Sequence, residues 1–406
     1  MQGRARRDKP SGLSNSHMKK IHLPQNNLKI VIATGIFPPD IGGPATYTDT
    51  LARELVKGGI EVKVICYSDV PDNGGKAYPF LIRRILRRHI LPFRYFLYLL
   101  ALLQWASRSD LIYAMGPVSD GIPAWIASIF LRKPLVIRLG GDFVWEQSLE
   151  LGKTSSPLRT FYHEPQDRFN RLLIAVVKVV LKGATRIIFS TNFQKGIYER
   201  DLRVSPEKGV VIDNPVPSLV GNLIRPRILR EPREILFAGR LIRKNNLEIL
   251  LHAFTGIVSE HKVKLRIIGE GPREGILKSL IEELKVSQWV TLERKLQNEA
   301  LLHEVQGAYM VVLPALTDVS PNFALECLSI GVPILLTRET GFYEKYQHQI
   351  IFFDPTNPEE LREKIIHLLD PTNYNQYCDV IKNIKFQTTW PDVTTRHLQL
   401  FRALFP

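Results

Sequence analysis

Short apolar runs alternate with longer amphipathic stretches from about residue 29 to residue 214. Five runs have the length and β-branched content of buried strands: KIVIAT, EVKVICY, DLIYAM, PLVIRL and RIIFS. The segments between them have helical spacing, as in TYTDTLARELV, where Leu51, Leu55 and Val56 share one face. Strands that alternate with helices predict a parallel sheet covered on both faces.

A second series of the same kind follows a proline-rich stretch, NPVPSLVGNLIRPRILREPRE. Its strand candidates are EILFAG, KLRIIG, WVTLE, YMVVLP and PILLT. We therefore predict a first domain over 28–215, a linker over 216–232 and a second domain over 233–385. The polar, basic residues 1–27 lack periodicity and are expected to be a disordered lead-in. Two doubly wound domains create a cleft between their strand ends, where ligands bind.

Composition narrows the class of protein without fixing its function. The 406 residues are 45% hydrophobic and 23% charged, which is typical of a soluble globular chain. The three cysteines stand far apart, so the sequence predicts neither a zinc site nor a disulfide framework, and a reduced, cytoplasmic setting is expected. A net charge of +14 indicates an anionic partner, which could be nucleic acid, a membrane surface or a phosphate-bearing substrate.

The first strand and first helix are joined by FPPDIGGPATYT. Paired glycines at a helix amino end, here Gly42 and Gly43, let the backbone approach an anion with unpaired N–H groups. The alternative is a tight turn that needs a positive φ. The stretch is not a G-x-G-x-x-G fingerprint, which disfavours a dinucleotide site.

The second domain carries candidate groups for a diphosphate and a ribose. In ILFAGRLIRKNNLEIL, Arg240 and Lys244 follow a strand and open a helix, where fixed cations suit a diphosphate; alternatively they are solvated loop charges. Further on, Asp318 and Glu326 stand eight residues apart in TDVSPNFALE. Glu326 lies in an apolar stretch, where a carboxylate needs a partner. A ribose diol or a local arginine could be that partner.

A basic stretch, FLIRRILRRHILPFRYF, contains five arginines and no acidic residue. It predicts a strand that ends near Ile85 and a helix from Pro92. The apolar run over 95–103 is too short to span a bilayer. Arg87, Arg88 and Arg94 are expected near the cleft mouth, where they would hold an anionic acceptor or a lipid head group. The alternative is a core helix preceded by solvated arginines.

Five motifs in order resemble those of the family-4 glycosyltransferases, and the likeness covers about Lys29 to Leu404. They are FPPDIGGPATYTDTLARELVKGGIEV, FAGRLIRKNNLEILLHAF, LRIIGEGPREGIL, TDVSPNFALE and TTWPDVTTRHLQLFRALF. The resemblance implies an α/β chain with the GT-B fold, in which two doubly wound Rossmann-like domains face each other across a cleft. The first would lie on the acceptor side and the second would bind the nucleotide sugar. Residues 386–406 would form a helix that crosses back to the first domain.

The resemblance also implies an activity. A hexosyl unit would move from a nucleotide-diphosphate sugar to a glycan or lipid-linked acceptor, with retention of configuration and without a metal or other cofactor. Such an enzyme would serve cell envelope polysaccharide biosynthesis from the cytoplasm, at the inner face of the membrane, and no nucleic acid partner is expected. The implied catalytic residues are Arg240, Lys244 and Asp142. The implied donor-binding residues are Gly42, Gly43, Asp318, Ser320, Asn322 and Glu326.

The chain departs from the family pattern in several places. The usual lysine of the second-domain loop falls on Asn245, and the usual histidine of the first domain is absent, since Gly140 and Gly141 stand there. The sequence VSPN replaces the usual Gly-Phe-Gly after an aspartate where the family has glutamate. Two other classes stay open: a sugar-nucleotide epimerase, which would need histidines and carboxylates in the first-domain loops, and a non-catalytic sugar-nucleotide or nucleic-acid binder. Salt-sensitive binding to DNA of any sequence would favour the binder.

Overall fold

The computed structural model describes residues 28–40, 42–71, 78–216, 227–384 and 388–405. It contains two parallel sheets, one in each predicted domain, which confirms the α/β architecture. The predicted lead-in, residues 1–27, lies outside the described residues.

Seven parallel strands form the first sheet in the spatial order β3-β2-β1-β4-β5-β6-β7. They are β1 Lys29–Thr34, β2 Glu61–Ser68, β3 Leu81–Leu86, β4 Leu111–Ala114, β5 Leu135–Leu139, β6 Arg186–Phe189 and β7 Gly209–Val211. The order reverses between β1 and β4, which places a switch point beside the loop that follows β1. The sequence pattern missed β7 because three residues are too few to show a period.

In the described residues, the α-helices between the first and last strands of this sheet are α1 Gly43–Lys57, α2 Leu91–Ala106, α3 Gly121–Leu131, α4 Phe143–Glu150, α5 Leu158–Phe161, α6 Arg168–Gly183 and α7 Asn192–Asp201. Side chains of α2, α3 and α6 enter the core on one face of the sheet. On the other face the core is completed by α1 and by the last helix of the chain. The sheet is therefore buried on both sides, as its continuous apolar strands require.

The second sheet has six parallel strands in the order β10-β9-β8-β11-β12-β13. They are β8 Arg233–Ala238, β9 Val263–Ile268, β10 Val290–Glu293, β11 Met310–Leu313, β12 Ile334–Thr337 and β13 Ile351–Phe353. Its helices are α8 Leu247–Val258, α9 Glu274–Glu283, α10 Asn298–Gly307, α11 Asn322–Ser329, α12 Tyr343–Tyr346, α13 Pro358–Leu369 and α14 Pro371–Lys382. The last helix is α15 Trp390–Arg402, and short 3-10 helices occupy Pro206–Lys208 and Arg243–Asn245.

The end of the predicted linker belongs to the second domain. Residues 217–226 lie outside the described part of the chain, but Arg227 donates hydrogen bonds to the carbonyl oxygens of Gln306 and Gly331, both at 3.2 Å. Arg230 forms ion pairs with Glu234 and Glu304. Prolines interrupt the periodicity of this segment, but they do not prevent its arginines from anchoring it to the domain that follows.

Helix α15 packs on the first domain, against α1. A capping box between Thr389 and Asp392 fixes its first turn. Phe401 is fully buried in the first-domain core, and Nε2 of His397 lies 3.0 Å from Oη of Tyr113 on β4. The chain therefore crosses back to the first domain at its end, as the resemblance implies.

We expect His397 to make stability sensitive to acid. Burial away from water lowers the pKa of His397 to about 3, whereas an unfolded histidine titrates near 6.5. Between these values the unfolded chain binds a proton that the folded chain does not, so the free energy of unfolding falls by up to about 1.4 kcal/mol per pH unit below 6.5.

Urea unfolding at pH 6.5 and pH 4.5 tests this, with His397→Gln as the comparison. The variant should lose less stability between the two pH values than the wild type. Equal losses in both proteins would contradict the assignment.

Candidate active site

Loops that follow the carboxyl ends of the strands in both sheets meet across the cleft. Nζ of Lys244, after β8, lies 2.8 Å from Oε1 of Glu146, after β5. The backbone N–H of Leu158 donates to Oγ1 of Thr317 at 2.9 Å. Next to this contact, Arg159 pairs with Glu339 at 3.1 Å. The ligand-binding edges of the two sheets therefore face each other.

Lys244 is held in place by carboxylates from both domains. Its side chain is only 20% exposed, and burial alone would lower its pKa. The negative charges of Glu146 and Asp318 outweigh burial and raise the pKa of Lys244 above its ordinary value. Lys244 therefore stays a cation in the cleft, although it stands one position before the family's usual lysine.

Arg240 supplies a second cation beside Lys244. It is exposed, and no hydrogen bond or ion pair within the described residues engages its guanidinium group. Its carbonyl oxygen accepts a hydrogen bond from Nδ2 of Asn245 at 2.6 Å, which orders the loop. Glycines at 269 and 271 allow the loop after β9 to pack on this loop, because a Cβ at either position would collide with its backbone. These two glycines therefore serve the packing of one loop on the other.

Glu326 carries a carboxylate without a partner. It lies on α11, half-buried, and no described side chain is within hydrogen-bond or ion-pair distance of its carboxylate oxygens. Burial raises the pKa of Glu326 to about 7. No arginine in the described part of the chain pairs with Glu326, and a ligand with hydroxyl donors would satisfy this group.

The remaining predicted donor residues lie where the domains meet. Burial raises the pKa of Asp318, while the charge of Lys244 opposes that effect. Oδ1 of Asn322, the first residue of α11, accepts a hydrogen bond from Nδ2 of Asn214 in the first domain at 2.8 Å. Ser320 lines a small interdomain cavity together with Asn214 and Thr191. The loop before α11 therefore contacts both domains.

The glycine pair opens α1 without a turn in the left-handed region. Gly42 is the N-cap residue with an extended backbone, and Gly43 begins the helix. The φ of Gly42 is 160°, which is close to fully extended backbone, so neither glycine occupies the left-handed region that the tight-turn alternative requires, and that alternative is wrong. A Cβ on Gly43 would have no neighbour within 4 Å. The open space and the uncapped amino end of α1 fit the predicted anion contact.

Asp142 is enclosed within the first domain. Its carboxylate caps α4 by accepting a hydrogen bond from the backbone N–H of Trp145 at 2.9 Å. It also accepts a hydrogen bond from the Tyr162 hydroxyl at 2.6 Å. The residue is 1% exposed, and burial raises its pKa. The structure therefore places Asp142 beneath α4, where it positions Glu146, and not among the groups that face the cleft.

Of the three predicted acceptor-side arginines, two are engaged inside the domain. Arg87 pairs with Asp40 and Asp69. Arg94 lies 5.3 Å from the centre of the Tyr67 ring and donates to the carbonyl of Arg87. Only Arg88 is exposed, so an anionic surface could meet that residue directly. The prediction that all three face a ligand is wrong because carboxylates distant in sequence engage Arg87, and an aromatic ring and a backbone carbonyl engage Arg94.

Two further residues at this edge were missed by the sequence predictions, Glu146 and Arg138. Glu146 could be recognised only once its partner in the other domain was located. Arg138 had a signal, since an arginine within the otherwise apolar strand PLVIRL is unusual. It is 3% exposed.

Comparisons with known proteins match both halves of the chain to glycosyltransferases. The model of the family described as Glycosyltransferase Family 4 matches residues 41–218, and that described as Glycosyl transferases group 1 matches residues 224–385. An uncharacterized glycosyltransferase of Methanocaldococcus jannaschii is 24% identical over 92% of this chain and 98% of its own. The MMP α-(1→4)-mannosyltransferase of Mycolicibacterium hassiacum is 24% identical over 73% of this chain and 78% of its own.

Solved structures share the fold. Sucrose-phosphate synthase of Thermosynechococcus elongatus superposes with a TM-score of 0.69 at 16% identity, covering 94% of this chain and 99% of its own. Anabaena HepE, solved with UDP and glucose, has a TM-score of 0.67 at 15% identity and covers 93% of this chain and 100% of its own.

Within the described residues, no helix is long and apolar enough to cross a bilayer. No group of three or more metal-ligating side chains is found in that part of the chain either.

We expect Glu326→Gln to weaken nucleotide-sugar binding by about 1–3 kcal/mol, because a neutral amide accepts hydroxyl hydrogen bonds less strongly than a carboxylate. In the wild type, affinity should rise with pH through about 7, because a ligand that donates two hydrogen bonds favours the ionised form of Glu326. Isothermal titration between pH 5.5 and 8 measures both effects. A nucleotide sugar is the right probe, since its diphosphate has no proton that titrates in this range. A variant with unchanged affinity and the same pH profile would contradict the ribose contact.

Arg240→Ala should lower turnover on the order of a hundredfold, because its cation is needed most as charge develops on a leaving diphosphate. Lys244→Ala should behave similarly, since Lys244 lies in the cleft. Arg243→Ala is the matched control, an exposed cation in the same loop, and should stay within a few-fold of the wild type. Equal losses in all three variants would indicate a general effect of loop charge.

Proposed function

The chain belongs to the family-4 glycosyltransferases and has the GT-B fold, and from this we propose that it transfers a hexosyl unit from a nucleoside-diphosphate sugar with retention of configuration. The observation that carries the proposal is that one edge of the cleft presents two cations, Arg240 and Lys244, and also a carboxylate without a partner, that of Glu326. A ribose and a diphosphate have the complementary chemistry.

The proposed reaction uses these groups to stabilise charge. The ribose hydroxyls would donate to Glu326, and the diphosphate would lie against Arg240 and Lys244. The bond between the sugar C1 and the phosphate oxygen breaks as an acceptor hydroxyl forms a bond to C1 on the same face. The hydroxyl proton passes to the departing phosphate oxygen, which leaves a nucleoside diphosphate and a new glycoside. The two fixed cations stabilise the negative charge that develops, and the proposal requires no metal.

Three helices of the first domain support contact with a membrane. We define the outer helical face as the exposed sides of α2, α3 and α6, which pack beside one another over the sheet. Its exposed apolar side chains include Phe93, Phe96, Leu100, Phe130, Leu172 and Val179. The three helices contain five basic residues, one in α2 and four in α6, and no acidic residue. Apolar side chains among cations match the surface of an anionic leaflet.

We propose that the outer helical face attaches the enzyme to anionic lipid and brings the cleft to a lipid-linked acceptor. Apolar side chains that project from neighbouring helices form the kind of exposed patch that marks an interaction surface. Arg88, just before α2, adds an exposed cation beside this face. The attachment would be peripheral and would weaken with salt.

The function is tested with a panel of nucleoside-diphosphate hexoses, beginning with UDP-glucose, because the structural neighbour from Anabaena has been solved with it. The donor that most raises the melting temperature is then incubated with octyl glycosides, and the product is examined by proton NMR.

We expect a glycoside with the anomeric configuration of the donor, and a turnover rate that EDTA does not change. Inversion or loss with EDTA would contradict the mechanism. Formation of an epimer without acceptor would identify an epimerase, and binding without any turnover a non-catalytic protein.

We expect the wild-type protein to sediment with vesicles that contain anionic lipid at low salt, and a Phe96→Gln/Leu100→Gln variant to bind at least tenfold less. Burying a phenylalanine or leucine is worth about 1.5–3 kcal/mol, so removing two such side chains is sufficient for this loss. Ile276→Gln is the matched control, since Ile276 is 48% exposed on α9 of the second domain. No sedimentation of the wild type, or equal loss in the control, would contradict attachment through this face.

A further inference from the structure

Arg138 is a buried cation without a buried counter-charge. It lies on β5, is 3% exposed, and no carboxylate of the described residues is within 4.0 Å of its guanidinium group. A guanidinium group stays protonated in proteins, and an isolated buried charge is strongly disfavoured. Because a buried charge at the carboxyl edge of the sheet lowers stability, we expect Arg138 to serve binding.

The polar groups around Arg138 are incompletely satisfied. Its guanidinium carbon lies 4.0 Å from the centre of the Tyr47 ring, and Nη2 donates to Oδ1 of Asn214 at 2.5 Å. Nε of Arg138 and Oη of Tyr47 are both buried and make no well-aligned hydrogen bond among the described residues, although the Tyr47 hydroxyl lies close enough to the guanidinium group to favour its charged form and raise the pKa of Arg138. Buried polar groups are normally paired, so the hydrogen-bonding capacity left at this place favours a polar ligand.

Gly140 leaves one side of this guanidinium group open to the cleft. A Cβ on Gly140 would lie 3.8 Å from Nη1 of Arg138, and Gly140 is exposed. Nη1 makes no hydrogen bond within the described structure. A longer side chain at position 140 would cover this nitrogen, whereas glycine permits approach from the cleft.

Arg138 is also connected to the donor-side loop. Asn214, which accepts from Arg138, donates in turn to Oδ1 of Asn322 at 2.8 Å. Tyr47, which stacks on Arg138, is the fifth residue of α1, one turn beyond the open amino end at Gly43. An anion beside Arg138 would therefore lie on the first domain, two hydrogen bonds from the predicted donor loop.

We propose that Arg138 binds an oxyanion of the acceptor, either a phosphate or a carboxylate, and that the acceptor of this enzyme is therefore anionic. The assignment to an acceptor rests on the proposed function. Arg138 belongs to the first domain, whereas two cations of the second domain, Arg240 and Lys244, are already available for a donor diphosphate. An oxyanion at Arg138 would pair with the buried charge and accept from Nη1, the nitrogen that lies beside Gly140.

The first test compares the thermal stability of the ligand-free protein with that of Arg138→Met. Replacing an uncompensated buried cation by an apolar side chain of similar length should leave the melting temperature unchanged or raise it. A melting temperature lower by about 5 °C or more would mean that Arg138 serves the scaffold, and would overturn the proposal.

The second test measures stabilisation by inorganic phosphate and by acetate, each against chloride at equal ionic strength, in an Arg240→Met background that removes the exposed donor-side cation. At least one of the two oxyanions should raise the melting temperature, and adding Arg138→Met should abolish that shift. Gly140→Leu should abolish it as well, while Gly140→Ala, which fits without contact closer than 3.8 Å, should keep it. The anion that gives the larger shift identifies the acceptor group as phosphate or carboxylate. A shift that survives Arg138→Met would overturn the proposal.

Nucleotide-sugar affinity distinguishes a role of Arg138 in binding the acceptor from a role in binding the donor. Arg138→Met should bind the donor within twofold of the wild type, and a tenfold loss would assign Arg138 to the donor diphosphate and overturn the proposal.

The proposed glycosyl transfer and the proposed oxyanion site can fail independently of each other. If the wild type transfers no sugar but the anion shift depends on Arg138, the function is wrong and the oxyanion site stands; if transfer succeeds and the shift is independent of Arg138, the reverse holds.

Discussion

The ion pair between Lys244 and Glu146 joins the two domains where the carboxyl edges of their sheets meet. Both side chains are partly shielded from water, so neither charge can be left without a partner at low cost. A diphosphate in the cleft would offer Lys244 a second set of negative charges. The pair therefore couples the approach of the domains to the electrostatics of the cleft. In the proposed function, Glu146 would hold the cation in place before a donor binds.

The surrounding structure serves to fix these charges in position. Asp142 caps α4 and so orients Glu146 from below, while the packing of the loop after β9 on the loop after β8 orients the segment that carries Arg240. Glu326 lies on α11, which begins at the donor-side loop. Charged groups at the ends of rigid strands and helices need little reorganisation when a charged ligand binds, which favours stabilisation of a transition state.

The sequence predicted the sheets well because their strands are buried on both faces and form unbroken apolar runs. It missed β7 and β13, which have three residues each, and it assigned residues 227–232 to a linker although Arg227 anchors them to the second domain. The candidate donor residues followed from the resemblance and from the apolar surroundings of Glu326. Contacts between domains could not be predicted, since Glu146 and Lys244 are 98 residues apart and their pairing depends on how the domains meet.

We propose that a nucleotide sugar binds in the cleft between the cations after β8 and the carboxylate on α11. A crystal structure of the complex with the donor selected by thermal stabilisation measures this directly. We expect diphosphate oxygens within hydrogen-bond distance of Arg240 and Lys244, and both ribose hydroxyls within hydrogen-bond distance of the carboxylate of Glu326. A nucleotide bound elsewhere, with Glu326 still unpartnered and Lys244 still paired only with Glu146, would contradict it.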